Sequence, residues 1–287
     1  MSETRRVLVT GARGMLGTDL CAVLSRLGWQ VTAADLEEFD ITEPGATSAF
    51  VKECRPGVVI NCAAYTAVDQ AESERETAYR VNRDGAKSIA RAAASVEAAL
   101  VHMSTDYVFD GTKQGPYSEE DKPNPMSVYG ASKLAGEVAV RETFAQHYIV
   151  RTAWLYGIHG KSFPRTMLRL AETRRPLRVV NDQIGSPTYT EHLAEALTVI
   201  IEQPHYGTYH AVNSGACTWH ELACETFRQA GLNPEVSPIT TAEYPTTARR
   251  PANSVLDTSK LRREYGHRLP HWTEGVAAFC ARWRETG

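Results

Sequence analysis

The sequence lacks most of the features that mark a specialised class. Its 31 basic residues against 34 acidic ones leave a net charge of −3, so there is no electrostatic surplus for nucleic acid or an anionic membrane surface. No apolar run approaches the roughly 20 residues needed to cross a bilayer. The start, MSETRRVLVTG, passes from a short polar lead into a strand-like run and leaves no room for a signal peptide. Six cysteines (Cys21, Cys54, Cys62, Cys217, Cys224, Cys280) form no C-x-x-C pair, and nine histidines fall in no metal-ligand spacing. That argues against a disulfide frame and a structural zinc site, and points to reduced thiols in a cytoplasmic protein. Internal repeats and low-complexity segments are also absent.

What is there is an ordinary globular composition, 43% hydrophobic and 23% charged over 287 residues. That length supports a full core in one large or two modest domains. The runs RVLVT (6–10), QVTAA (30–34), GVVIN (57–61), ALVHM (99–103) and YIVRT (148–152) read as strands. Each is almost continuously apolar, as expected where helices cover both faces of a parallel sheet. Helical patterns at Met15–Leu27, Ala67–Ala94 and Val128–Phe144 lie between them. The alternation predicts an α/β fold with a doubly wound parallel sheet of the Rossmann type. Past residue 153 it loosens into helical stretches (Ser162–Glu172, Thr190–Glu202, Trp219–Gly231), short strand-like pieces and polar, proline-bearing segments. The expected division is a dinucleotide-binding domain over 1–153 and a smaller α/β substrate lobe over 154–287, with the chain free to cross back.

The first strand runs into TGARGMLG, which places Gly11, Gly14 and Gly17 at the first strand-to-helix turn, with Met15 and Leu16 opening the helix. Glycines there let backbone approach a pyrophosphate at a helix N-terminus, although the spacing is G-x-x-G-x-x-G and not G-x-G-x-x-G. Asp35, at the end of the second strand, suits ribose hydroxyls and NADH, whereas Arg13 offers a guanidinium to the 2′-phosphate of NADPH. Between the two cofactors the sequence does not choose. Asp40 and Ile41 are placed to frame the adenine, Asp40 alternatively as a cap before Pro44.

MSTDYVFDG follows the fourth strand, at the edge where open α/β sheets bind ligands. One loop later SVYGASKLAGE puts Tyr129 and Lys133 four residues apart on a helix, facing one small volume. The hydroxyls of Ser104 and Thr105 are expected to face them. This set resembles the short-chain dehydrogenase/reductase superfamily in its extended, nucleotide-sugar branch, where a Ser or Thr works with a Tyr-x-x-x-Lys pair. The chemistry needs these types. Hydride transfer to a ketone leaves an alkoxide that must be protonated, and a phenol can supply the proton once a neighbouring ammonium brings its pKa down from near 10 by roughly 2 to 3 units. Lys133 can also hold the nicotinamide ribose, which puts Tyr129 and Lys133 among the expected cofactor-binding residues, and Thr105 would orient the carbonyl and share the developing charge.

VINCAAYTAVDQAE, RTAWLYG, NDQIGSPT, CTWHEL and YPTTARRPANSVLDTSKL extend the likeness over nearly the whole chain. Together they resemble the dTDP-4-dehydrorhamnose reductase family. The resemblance implies reduction of the 4-keto group of dTDP-4-dehydro-L-rhamnose by NADPH or NADH. It implies Ala63, Ala64, Tyr65 and Thr66 along the cofactor, with Ser104, Thr105, Asp106 and Trp154 beside the sugar. Arg250 and Asn253, with Arg249, form a donor-rich cluster suited to a diphosphate; Asn181 and Gln183 are weaker candidates, since polar runs often close turns. Asn82 either positions a water or satisfies backbone. Family members are associated with Mg²⁺ held by carboxylates, two of which match Asp19 and Glu191. A third position carries Arg282, a cation that would repel the metal, so Mg²⁺ is not expected to be required and a homodimer is left open. A 4,6-dehydratase is disfavoured because Asp106 is followed by Tyr107 and not by a second acid. Another nucleotide-sugar reductase, an epimerase, or a non-catalytic NADP-binding subunit like the β subunit of methionine adenosyltransferase remain the alternatives.

Overall fold

A computed structural model describes residues 5–173 and 175–286; the first four residues of the polar lead lie outside it. Strands β1 (Arg6–Thr10), β2 (Gln30–Ala34), β3 (Val58–Asn61), β4 (Ala99–Thr105) and β5 (His147–Thr152) arise where the sequence predicts them. The remaining strands are short: β6 (Leu155–Tyr156), β7 (Leu177–Val180), β8 (Ile184–Gly185), β9 (Thr188–Tyr189), β10 (Gly207–His210), β11 (Cys217–Thr218) and β12 (Val236–Ile239). Helices α1 (Met15–Arg26), α2 (Pro44–Cys54), α3 (Arg75–Tyr79), α4 (Ala86–Ser95) and α5 (Val128–Thr143) belong to the first part of the chain. They are followed by α6 (Phe163–Ala171), α7 (Thr190–Ile201), α8 (Trp219–Ala230), α9 (Ser259–Tyr265) and α10 (Trp272–Thr286).

Six parallel strands form the main sheet in the order β10-β5-β4-β3-β1-β2. The apolar runs are continuous because the pleat feeds two cores at once. Val7, Val9, Val58, Ile60, Val101 and Val150 face α1 and α7, while Leu8, Val59, Leu100 and Ile149 face α2 and α4. Each such buried Val, Leu or Ile contributes roughly 1.5–3 kcal/mol. One edge strand of the sheet, β10, and the helix α7 come from beyond residue 154. The chain therefore returns from the lobe to the sheet, and a cut at 153/154 separates the two only in sequence.

The smaller lobe has its own core, built from Met167, Leu168, Leu222, Phe227, Trp272, Val276 and Phe279 around β7 and β9. Its α8 carries the local signals one would ask for, a Thr218/Glu221 capping box at the start and left-handed Gly231 at the end. The predicted helix Ala67–Ala94 differs. It breaks into a 3₁₀ turn, α3, a π-turn at Arg80–Gly85 and α4. The π-turn pushes Asn82 inward, and π-turns concentrate at functional sites. Among the described residues no helix is long and apolar enough to cross a membrane.

Candidate active site

The carboxyl ends of β1, β3, β4 and β5 open into one cleft of about 800 Å³. Its floor begins at the glycine loop. Gly11 is left-handed (φ +66°), and a Cβ there would sit 2.6 Å from the Ala63 nitrogen, so the turn requires glycine. No side chain caps the N-terminus of α1 at Gly14, which leaves backbone N–H groups directed at whatever fills the cleft beside Gly14, Met15, Leu16 and Gly17. Asp35, Asp40, Ile41, Ala63, Ala64, Tyr65 and Thr66 continue the wall. Asp40 also accepts the Thr42 N–H at 2.8 Å, a local turn bond; the N-cap of α2 is Glu43, with no side-chain capping bond, so Asp40 lines the cleft and does not cap the helix.

Asn82 ties the loop after β3 to α5. Its carboxamide accepts from the Tyr65 N–H (2.8 Å) and donates to the Tyr65 carbonyl (3.1 Å) and the Ser132 hydroxyl (2.9 Å). Gly136 allows this approach, since a Cβ there would lie 2.1 Å from the Asn82 carbonyl oxygen. Asn82 therefore satisfies backbone directly.

Thr105, Tyr129 and Lys133 converge on the cleft. The Thr105 hydroxyl donates to Asp106 Oδ1 at 3.0 Å and faces Tyr129 closely enough to favour its ionised form. Burial nevertheless pushes the Tyr129 phenol up to about 12. Burial thus outweighs the lowering expected from Lys133, whose ammonium donates to the Met103 carbonyl at 2.6 Å and is itself lowered by burial to about 8 against the pull of Glu137. The tyrosine is thus a protonated donor at neutral pH beside a lysine that is still mostly charged. Ser104 corrects another expectation. It lines the cleft, but its proton goes to Glu137 at 2.6 Å, so Thr105 is the hydroxyl presented to Tyr129.

Asp106 is 1% exposed, and burial raises its carboxyl to about 6 against the pull of the Ser254 and Thr105 hydroxyls. Its Oδ2 and the Thr152 hydroxyl are buried and lack partners of good geometry. Such atoms on a cleft wall suit a polar ligand. Trp154 stacks face to face on Trp219 (centroids 3.5 Å apart, planes at 5°) and holds a left-handed backbone (φ 45°). Both indoles line the cleft, as do Lys161, Arg80, Thr42 and Tyr107. Sequence reasoning missed these last four and Trp219, because the segments that carry them show no spacing signal.

Other candidates are engaged elsewhere and lie outside the wall of this cleft. The Arg13 guanidinium, expected to be open to a 2′-phosphate, donates twice to Glu38 (2.8 and 2.7 Å), and that pairing holds Glu38 down at about 2. Arg250 pairs with Asp69 (2.8 Å). Asn253 donates to the Lys113 and Gly115 carbonyls (2.9 and 2.7 Å). Asn181 accepts from Thr218 (2.7 Å). Gln183, 5% exposed, accepts from the Trp219 indole (3.1 Å) and so stands behind the wall.

The carboxylates matched to magnesium do not fit a metal. Arg282 Nη1 lies 2.9 Å from Asp19 Oδ1 and 3.4 Å from Glu191 Oε2, a cation already seated between them. Among the described residues no group of three or more His, Cys, Asp or Glu side chains could hold an ion.

Residues 5–285 match the family model described as the RmlD substrate binding domain. The chain is 46% identical to the dTDP-4-dehydrorhamnose reductase of Streptomyces griseus over 96% of this chain and 95% of that one. It is 43% identical to the spore coat polysaccharide biosynthesis protein SpsK of Bacillus subtilis, with 96% of each chain covered. Among solved structures, the dTDP-4-dehydrorhamnose reductase of Bacillus anthracis in complex with NADP superposes with a TM-score of 0.95 at 42% identity, covering 98% of this chain and all of that one. With its glycine loop, its Thr-Tyr-Lys cleft and relatives alike over their full length, the chain belongs to the dTDP-4-dehydrorhamnose reductase family.

Proposed function

We propose that the protein reduces the 4-keto group of dTDP-4-dehydro-L-rhamnose to the alcohol of dTDP-L-rhamnose, using NADPH or NADH. The observation that carries this reading is Thr105, Tyr129 and Lys133 on one cleft that begins at the glycine loop, in a chain 46% identical to a dTDP-4-dehydrorhamnose reductase.

The glycine loop and the α1 N-terminus hold the pyrophosphate, with Asp35 at the ribose and Asp40 and Ile41 near the adenine. When bound, the reduced nicotinamide supplies a hydride to C4 of the sugar. Tyr129 gives its phenolic proton to the carbonyl oxygen, so that hydride and proton together complete the alcohol, and the phenolate left behind is stabilised by the Lys133 ammonium. Thr105 donates to the same oxygen and orients it. Asp106 and Thr152 offer their unpaired atoms to sugar hydroxyls, and the Trp154–Trp219 stack walls the apolar side of the ring. The nucleotide lies toward the lobe, where Lys161 is the cation on the wall. Arg250, Asn253, Asn181 and Gln183 shape the loops behind it.

The test is a spectrophotometric assay of NADPH and NADH oxidation with a small panel of dTDP-4-keto sugars, run in EDTA and again in Mg²⁺. Oxidation dependent on the 4-dehydrorhamnose compound, unchanged by EDTA, is expected. No oxidation with any member of the panel would reject the reading, and activity restored only by Mg²⁺ would reject the assignment of Arg282.

A further inference from the structure

Glu137 follows Lys133 by four residues and Tyr129 by eight, so the three share one face of α5. It is fully buried, and both of its oxygens are occupied. Oε1 accepts from the Ser104 hydroxyl (2.6 Å) and Arg151 Nε (2.8 Å). Oε2 accepts from Arg151 Nη2 (2.8 Å) and Arg141 Nη2 (2.7 Å). The Arg151 side chain is only 2% exposed and lies over the Phe109 ring at 5.2 Å. A buried ion pair is seldom more stable than apolar packing of the same volume. Stability alone therefore gives no reason for this one.

Its position does. Lys133 grips the Met103 carbonyl and Glu137 grips the next residue, Ser104. Two side chains one helical turn apart thus clamp consecutive residues of β4, immediately before Thr105. We propose that Glu137 is a positioning residue for the reduction: it keeps the buried Lys133 charged and holds the end of β4 in register with Tyr129. The inference rests on the reading of Tyr129 and Lys133 as the proton-transfer pair.

The surrounding charges support it. Cys62, the other group acting on Lys133, is pushed up to about 12 by burial and is neutral at pH 7. His102 on β4 is held well below its ordinary value by burial, and His210 on β10 is held at about 3; both are neutral. On the next turn of α5 Arg141 is a cation, as is Arg151 on β5. Asp106 bears on Tyr129. Among the groups that act on Lys133, Glu137 is the one that carries negative charge. Burial works against that charge, but the bonds and charge of Arg151 hold Glu137 down at about 2.

The test compares pH profiles of kcat for the whole enzyme, Glu137→Gln, the double variant Glu137→Gln/Arg151→Met, and Tyr129→Phe. In Glu137→Gln the loss of activity on the basic side moves to lower pH by about one unit or more, a tenfold change in the charged fraction of Lys133 on that limb. The same variant leaves Arg151 unpaired and lowers Tm. The double variant removes the stranded cation, recovers Tm, and keeps the displaced basic limb. A double variant with the original profile would overturn the proposal, since Glu137 would then serve only to neutralise Arg151. Near-normal turnover in Tyr129→Phe would reject the site reading itself, and the inference with it.

Discussion

Beside the two ends of the cleft lie the same kinds of ion in opposite states of solvation. At the catalytic end Lys133 is 3% exposed, Arg151 1% and Glu137 0%. At the adenosine end the Arg13 side chain is 53% exposed, Glu37 79% and Glu38 29%. In the first place each charge has a fixed partner, and removing one partner strands another, at a cost of about 3–5 kcal/mol. In the second, pairs contribute about 0.2–1 kcal/mol and are screened by salt. One end is built to hold a geometry. The other can exchange a protein partner for a ligand at little cost.

Tyr129→Phe strikes the fixed end hardest. The loss of the donated proton is expected to lower kcat about 10²–10⁴-fold, while cofactor affinity, which the proposed reading assigns chiefly to the glycine-loop end, stays near its original value. Parallel loss of cofactor binding by titration would show that the two ends are not separable. Asp106→Asn probes the same dry environment through stability. The folded carboxyl at about 6 lies above its ordinary value of 3.8, so the folded state holds its proton more tightly than the unfolded one. Stability from this group is present below about pH 4 and is lost as pH rises through 6. Neutral Asn escapes that loss and is expected to stabilise by on the order of 3 kcal/mol at pH 7.5 and by about 0.5 kcal/mol at pH 4. Equal unfolding free energies for the variant and the original at both pH values would mean that the carboxyl is not held in a desolvated site.

The same contrast explains what could be read in advance. The main sheet was legible because burial on both faces writes continuous apolar runs, and the loop and the Tyr129–Lys133 pair because each is local: one turn, one helix face. Thr105 followed from its place at the end of β4. The lobe donors were not legible, since Arg250, Asn253 and Asn181 are bound by Asp69, the Lys113 and Gly115 carbonyls and Thr218, partners up to 181 residues away in sequence. Trp219, at the start of α8, and Lys161, in the loop before α6, reach the wall only through the packing of the lobe. The fate of Ser104 was hidden for a similar reason, because its hydroxyl is claimed by Glu137 from another element. The phenol's upward shift reflects depth, which residue spacing does not encode.

The exposed end yields the smallest effect and the finest discrimination. Arg13 is held by Glu38 through two bonds and lies 3.2 Å from Glu37, while Asp35 accepts the Arg13 backbone N–H at 3.0 Å. Two carboxylates thus flank the guanidinium and a third holds its backbone; with the adenosine ribose placed at Asp35 as proposed, this negative charge would disfavour a 2′-phosphate. Glu38→Gln removes one negative charge and releases the guanidinium, so the ratio of kcat/KM for NADPH over NADH should rise. Because the pair is solvent-exposed, the gain is at most about fivefold, and it should shrink as ionic strength rises past about 0.1 M. The buried cluster around Glu137 should show no such salt dependence. An unchanged ratio at low salt would place recognition of the 2′-phosphate on other groups, with Arg80 on the cleft wall the next cation to replace.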